Sequence, residues 1–226
     1  MSALLEALGR VRDPELDEPI TALGFVSSCT LSSAGVAEVH LRLPTYFCAP
    51  NFAFLMVADA YDAVSALPAV QETKIVLDEH FAADEINGGV AARAGFARSF
   101  DGEAVGELDQ LRVDFLRKAV YAGTDLVCRP LVAAGTGLVG LRLGDVPASP
   151  QLGRLRRRRA ELGLPAGDEA PLLVDPATGA EVDAGAVPLH LRRARVTRTS
   201  LEANAGICRG MLRHRYQTSG IGEEDA

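Results

Sequence analysis

No stretch of this sequence approaches the roughly 18 to 20 consecutive apolar residues that a membrane-spanning helix needs. The most apolar segment, residues 52–67, is interrupted by Asp59 and Asp62. Cysteine is scarce as well, with four among 226 residues, and no CxxC or CxxH pair is present to begin a zinc finger. These absences predict a cytoplasmic protein with reduced thiols, no membrane association and no local structural zinc site.

Charge is unevenly distributed along the chain. Through Lys118 the sequence has 9 basic and 18 acidic residues, whereas the remainder has 14 basic and 12 acidic residues. Together with the glycine-interrupted stretch 122–144, this asymmetry predicts two parts. The first, residues 1–120, is predicted to be an α/β domain with a helical extension. The second, residues 121–226, is predicted to be a smaller α+β region that recognises a partner.

Hydrophobic periodicity predicts an α/β fold, a small two-layer sandwich with the order helix, strand, strand, helix, strand. The second strand shows the pattern most clearly, because Val39, Leu41 and Leu43 alternate with polar residues. The predicted elements are a helix to residue 11, strands 25–31 and 36–43, a helix 50–67, a strand 73–78, and helices 82–94 and 107–121. In the second part we expect a helix 151–162, a hairpin 172–182 and a final helix 201–216, with Cys208 in the core.

Cys48 differs from the other three cysteines in its local setting. It lies just before the predicted helix that starts at Pro50, where unpaired N–H groups and the positive end of the helix dipole favour a thiolate. A thiolate attacks electrophiles and binds metals. The alternative is a buried cysteine that packs as a small apolar side chain.

Three short motifs carry a family resemblance over roughly residues 3–80. They are DPEL at residues 13–16, ITALGFV at 20–26, and the threonine-containing turn LPTYFCAP at 43–50. In this combination and order the chain resembles the iron–sulfur cluster assembly factor family that includes SufT-like and PaaD-like proteins. The family usually has proline directly after the cysteine, whereas here Ala49 separates Cys48 from Pro50.

The resemblance implies a domain that helps to insert iron–sulfur clusters or other iron centres into client proteins, holding iron or a cluster transiently. By position, Cys48 is the implied functional residue, with Asp13 and Glu15 as acidic companions and Thr45 in the turn. The two loops are expected at one edge of the sandwich, with Asp13 or Glu15 within reach of Cys48. Asp13 and Glu15 also fit a turn that stops the first helix.

The segment HFAADEIN at residues 80–87 resembles long relatives found beside soluble diiron monooxygenases, which implies a diiron monooxygenase as the client. On a helix, His80 and Asp84 would share a face and could add nitrogen and oxygen ligands for iron. We expect His80 to lie farther from Cys48 than the acidic loop does. The alternative for this segment is an acidic first turn of a helix.

An arginine-rich segment lies in the second part. The residues assigned to partner binding are Arg156, Arg157, Arg158 and Arg159. Because the net charge is −7 and no aromatic stacking residues are nearby, we predict a surface that docks a protein rather than nucleic acid. A second copy of the chain, forming a homodimer, is a further candidate partner.

Two other classes of function remain open from the sequence. In a thiol-dependent enzyme Cys48 would be the nucleophile, but a general base is hard to name, since His40 lies on the exposed face of a strand and His80 follows the third strand. The other class is a structural adaptor that binds no metal. The predicted function is a non-enzymatic factor for metal-centre assembly.

Overall fold

The structure is a computed structural model that describes residues 2–100 and 108–217. Contacts divide the chain into two units. The first unit comprises Met1–Asp109 and Asn204–Ala226, and the second comprises Gln110–Ala203. The last helix therefore begins in the second unit and ends in the first. The domain boundary predicted at residue 120 stays a prediction.

The first unit contains a three-stranded sheet with flanking helices. Its elements are α1 (Ser2–Leu8), β1 (Val26–Leu31), β2 (Val36–Leu41), α2 (Pro50–Ser65), β3 (Glu72–Leu77), α3 (Ala83–Ala91) and α4 (Phe96–Ser99). The predicted order of helix, strand, strand, helix, strand is confirmed, and with it the α/β fold class.

The sheet has the strand order β1-β2-β3 and mixed pairing. β1 and β2 are antiparallel and joined by a tight turn, whereas β2 and β3 are parallel, so α2 provides the crossover between them. Gly35 in the turn has a φ of +79°, and a Cβ there would lie 2.7 Å from the Gln71 side chain. The turn therefore requires glycine.

The core of the first unit lies between the sheet and the helices. From β2, the side chains of Ala37, Val39 and Leu41 point inward, as the alternating pattern predicts. From α2, the fully buried residues recur at helical spacing and are Ala53, Val57, Ala60 and Val64. Each fully buried side chain of the size of valine or leucine stabilises the fold by about 1.5–3 kcal/mol.

The second unit is mostly helical. It contains most of α5 (Asp109–Ala133), α6 (Pro150–Glu161) and the first part of α7 (Val187–Gln217). The predicted hairpin at residues 172–182 is reduced to one isolated bridge between Val174 and Glu181. Both predicted helices of the 107–121 and 201–216 regions are longer than expected. α5 continues past Gly123 and does not end there. A Cβ atom at this position would lie only 3.3 Å from the side chain of Leu155 on α6.

Across residues 2–100 and 108–217, every helix is too short or too polar to cross a membrane.

Candidate functional site

The loop that follows α1 is built around the carboxylate of Asp13. Its Oδ1 atom accepts hydrogen bonds from the backbone N–H groups of Glu15 at 2.9 Å and Leu16 at 2.8 Å. The residue is only 7% exposed, and burial raises the pKa of Asp13 to about 6 despite these bonds. The carboxylate is therefore committed to holding the turn, which is the structural role that the sequence also allowed.

The second loop joins β2 to α2 and carries Cys48. The thiol is half-buried, two residues before the Pro50 at which α2 begins. Its Sγ atom lies 3.3 Å from the Oγ1 atom of Thr45. A hydroxyl in this position can donate to the sulfur when it is a thiolate, so the structure brings together these two predicted site residues.

His80 holds the Cys48 loop in place from the side of β3. Its Nδ1 atom accepts from the backbone N–H of Ala82 at 3.2 Å, so Nε2 carries the proton and donates to the Cys48 carbonyl oxygen at 2.7 Å. Burial lowers the pKa of His80, which keeps the ring neutral and fit for both contacts. His80 thus contacts Cys48 directly, whereas it was expected to lie farther from Cys48 than the acidic loop does.

The same geometry corrects the idea that His80 and Asp84 form an iron site. Both ring nitrogens of His80 are engaged with the backbone, and α3 starts only at Ala83, so His80 and Asp84 do not share a helix face. Asp84 is an exposed residue in the first turn of α3, where an acidic side chain interacts favourably with the positive end of the helix dipole. The alternative of an acidic helix start therefore describes this segment better.

Cys208 is a neighbour of the site that the sequence analysis did not identify. It lies on the part of α7 that belongs to the first unit and is half-buried. Burial raises the pKa of Cys208 to about 11, and the neighbouring acidic groups Asp13 and Glu15 add to this effect. The ion pair between Arg209 and Glu18 places this part of α7 against the acidic loop, so Cys208 lies in the region of that loop. The sequence carried no signal for it, because Cys208 sits in an ordinary apolar helix pattern.

The acidic and sulfur groups of this region do not form a ready-made metal centre. In the part of the chain that the structure describes, no three side chains of histidine, cysteine, aspartate or glutamate are arranged to hold a metal ion. Asp13 already satisfies backbone donors. Among the predicted loop residues, the thiol of Cys48, in contact with Thr45, and the carboxylate of Glu15 remain as donors for a transient ligand.

The arginines of α6, which lies in the second unit, differ from one another in their surroundings. Arg157 is exposed, whereas Arg156 is paired with Asp168 at 2.6 Å. Arg158 is partly buried and paired with Glu161. Only Arg157 among these three lacks a described carboxylate partner.

Arg159 requires a correction to the predicted partner-binding surface. It is 0% exposed and donates hydrogen bonds to the carbonyl oxygens of Pro171, at 2.8 Å, and Leu172. Burial lowers the pKa of Arg159 to about 10. A buried guanidinium that binds backbone carbonyls stabilises the fold and does not reach a partner, since it lies on the apolar side of α6 with Leu152 and Leu155.

The loops that carry Asp13 and Cys48 both lie in a segment that is similar to a known protein family. Residues 2–76 match the family model described as iron–sulfur cluster assembly protein. The matched segment includes Asp13, Glu15, Thr45 and Cys48 and ends before His80. This part of the chain is thus similar to an iron–sulfur cluster assembly domain.

One similar solved structure is the crystal structure of a domain of unknown function, DUF59, from Bacillus anthracis. The identity is 25%, the match covers 41% of this chain and 88% of that chain, and the TM-score is 0.32. No curated protein matches the sequence.

Proposed function

We propose that this protein is a maturation factor that helps client proteins to acquire iron or an iron–sulfur cluster, and that Cys48 is its functional residue. The observation that carries the proposal is the Thr45–Cys48 contact in a loop covered by the assembly-protein family model. Iron or the cluster is the cargo of this reaction and is not a resident cofactor.

The geometry supports a transient role for the thiol. Thr45 is placed to stabilise the thiolate, and His80 fixes the backbone of Cys48, so the sulfur is presented from a defined loop. A single thiolate gives no chelate effect, because stable iron sites collect three or four donors. The client, or a second copy of the chain, would then supply the other ligands.

The acidic loop supports the thiol indirectly. Asp13 holds the turn that presents Glu15, and the carboxyl groups of both residues contribute to the raised pKa of Cys208. In this proposal Glu15 is the acidic companion that stays available to cargo, whereas Asp13 shapes the loop. The arrangement lets the client remove the cargo, since few protein ligands compete for it.

We further propose that the client is a soluble diiron monooxygenase and that the encounter takes place in the cytoplasm. The support for this client is the resemblance of residues 80–87 to the long relatives found beside such enzymes. The partner is therefore a protein, and neither nucleic acid nor a membrane has a part in the proposal.

A thiol-dependent enzyme is the main alternative, and the site offers it little support. A base that activates Cys48 would have to reach its sulfur, whereas His80 donates to the carbonyl oxygen of that residue. His40 is held by Asp78 and Glu38 on the exposed face of β2. A metal-free adaptor would keep the fold but bind no iron through Cys48.

Anaerobic equilibrium dialysis with Fe(II), with and without sulfide, tests the proposal on the isolated protein. We expect weak iron binding by the wild type that is lost in Cys48→Ser and retained in the control Cys29→Ser, because Cys29 lies on β1 outside the site. Iron binding that is unchanged in Cys48→Ser contradicts the proposed role of this thiol. The absence of binding in the wild type favours the adaptor.

A further inference from the structure

We propose that three aromatic side chains beside Cys48 dock an apolar segment of the client, and that this segment carries lysine or arginine next to its apolar side chains. The three residues, called the aromatic patch below, are Tyr46, Phe47 and Phe81. The inference rests on the proposed function, since it names how the client of the Cys48 site is recognised.

The aromatic patch is exposed and its rings are in mutual contact. Phe47 is 77% exposed, and Tyr46 and Phe81 are each 47% exposed. The ring centroids of Tyr46 and Phe47 are 5.0 Å apart, and those of Phe47 and Phe81 are 5.9 Å apart. Soluble proteins rarely leave large apolar side chains grouped on the surface unless the group binds something.

The fold attaches the aromatic patch to the Cys48 loop from both sides. Tyr46 and Phe47 directly precede Cys48, and the backbone N–H of Phe81 donates to the Tyr46 carbonyl oxygen at 3.1 Å. The Phe81 ring also packs on the His80 ring, with centroids 4.9 Å apart, while His80 holds the Cys48 carbonyl oxygen. A segment that covers the aromatic patch therefore lies next to the loop that carries Cys48.

The energetics favour an apolar anchor in the partner. Aromatic residues are enriched among the few interface positions that dominate binding, and each contributes a large apolar area with few rotatable bonds. The neighbouring loop is already ordered by the His80 and Phe81 backbone contacts, so little ordering free energy is spent when the partner binds.

The charges next to the aromatic patch determine what should flank the anchor. Asp84 and Glu85 follow Phe81 closely, are exposed, and have no ion pair with any residue that the structure describes. Glu79, on the other side of Phe81, is already paired with Arg215 at 3.0 Å. The two side chains that follow Phe81 without an ion pair to a described residue are therefore both acidic, and a basic residue in the partner complements them.

Fluorescence anisotropy with two labelled peptides tests this inference on the full chain. One peptide has phenylalanine and leucine flanked by lysine, and the other has the same apolar residues flanked by glutamate. We expect the lysine peptide to bind at least about tenfold more tightly, which corresponds to about 1.4 kcal/mol. Binding should weaken with added salt and in the double variant Asp84→Asn/Glu85→Gln.

Single variants locate the contact. Phe47→Ser and Phe81→Ser should each weaken binding of the lysine peptide about tenfold, which is the size expected when an interface aromatic is truncated. Val139→Ser is the matched control, because Val139 is also exposed but lies in the second unit. The inference is overturned if the protein binds both peptides equally. It is also overturned if Phe47→Ser, Phe81→Ser and Val139→Ser all bind the lysine peptide equally. Concentration-dependent dimerisation lost in Phe81→Ser also overturns it, since a second copy would then cover the patch.

A reactive version of the lysine peptide separates this inference from the proposed function. When it carries an iodoacetyl group, it should alkylate Cys48 faster than iodoacetamide does, and Phe81→Ser should remove that advantage without changing the rate with iodoacetamide. Peptide binding with an inert Cys48 would contradict the proposed function alone. A reactive Cys48 without any peptide advantage would contradict the docking role alone.

Discussion

The Nε2–H group of His80 donates a hydrogen bond of 2.7 Å to the carbonyl oxygen of Cys48. This contact joins the β3–α3 connection to the loop before α2, and it leaves the Cys48 sulfur beside Thr45. The histidine therefore positions the cysteine through the backbone. It is a positioning residue, and the ligand role that sequence spacing offered to it is not compatible with both of its nitrogens being engaged.

Removal of His80 should loosen this loop. In His80→Ala the Cys48 carbonyl oxygen and the Ala82 N–H lose their partner, and we expect the free energy of unfolding to fall by about 1–3 kcal/mol. Urea unfolding at neutral pH measures the change. Asp84→Asn is the control and should change stability by less than about 0.5 kcal/mol, because Asp84 is exposed. Equal stability of His80→Ala and the wild type would contradict the positioning role.

Asp13 gives a prediction about pH. Its pKa is raised from 3.8 to about 6, so the folded state holds the proton more tightly than the unfolded state does. The contribution of Asp13 to the free energy of unfolding of the wild type is then greatest below pH 3.8 and is lost as the pH rises through about 6. In Asp13→Asn the side-chain amide oxygen can still accept from the two backbone N–H groups, without the cost of a buried charge.

We therefore expect Asp13→Asn to be more stable than the wild type above about pH 6, by at most about 3 kcal/mol. The advantage should shrink as the pH falls toward the ordinary carboxyl pKa. Unfolding by urea across this pH range measures it, and Asp13→Ala, which lacks the acceptor, should be less stable than Asp13→Asn throughout. An Asp13→Asn advantage that grows at lower pH would show that the carboxylate is stabilised in the folded state.

The four cysteines should differ in reactivity. Burial raises the pKa of Cys128 to about 12 and that of Cys208 to about 11, so both carry little thiolate at neutral pH. Cys48 should therefore react faster with iodoacetamide, as measured by mass spectrometry of each cysteine-containing peptide. Thr45→Val should slow Cys48 by removing the hydroxyl beside its sulfur. Equal and slow labelling of Cys29, Cys48, Cys128 and Cys208 would contradict a higher reactivity of the Cys48 thiol.

Two arginines of α6 should behave differently when replaced. Arg159→Gln should destabilise the second unit by about 1.5–3 kcal/mol or more, because a charged donor to buried carbonyl oxygens is lost. Arg157→Glu should leave the unfolding free energy within about 0.5 kcal/mol, since this side chain is exposed. Thermal or urea unfolding compares the two variants. Similar losses in both would contradict the assignment of Arg159 to the fold.

If the exposed part of α6 docks a protein, Arg157→Glu should also weaken that association in a salt-dependent way. Tight binding of the wild type to random RNA or DNA at physiological salt, lost in Arg157→Glu, would favour nucleic acid instead.

The order of helices and strands along the first unit and the start of α2 could be predicted because they depend on local signals. β2 alternates between apolar and polar residues, and Pro50 occupies the favoured first position of a helix. The return of α7 to the first unit could not be predicted, because local periodicity does not say which surface an apolar stripe will cover. Cys208 was expected in the core, and it packs against the core of the first unit while remaining half-buried.

The roles of two side chains could not be predicted, because they too depend on tertiary contacts. His80 was assigned to a helix face by its spacing from Asp84, but its partners are the backbone of Cys48 and of Ala82, which is a tertiary arrangement. Arg159 stands in a row of arginines, and nothing in that row shows which one the helix turns inward. By contrast, Cys48 and Thr45 were identified by a motif, and the structure places them in contact.

The iron content of a client tests the central claim most directly. A soluble diiron monooxygenase hydroxylase, co-expressed with this protein and then purified, is assayed for iron per polypeptide. We expect a lower iron content with Cys48→Ser than with the wild type, and an unchanged content with the control Cys29→Ser. Equal iron content with the wild type and Cys48→Ser would contradict a role for Cys48 in maturing this client.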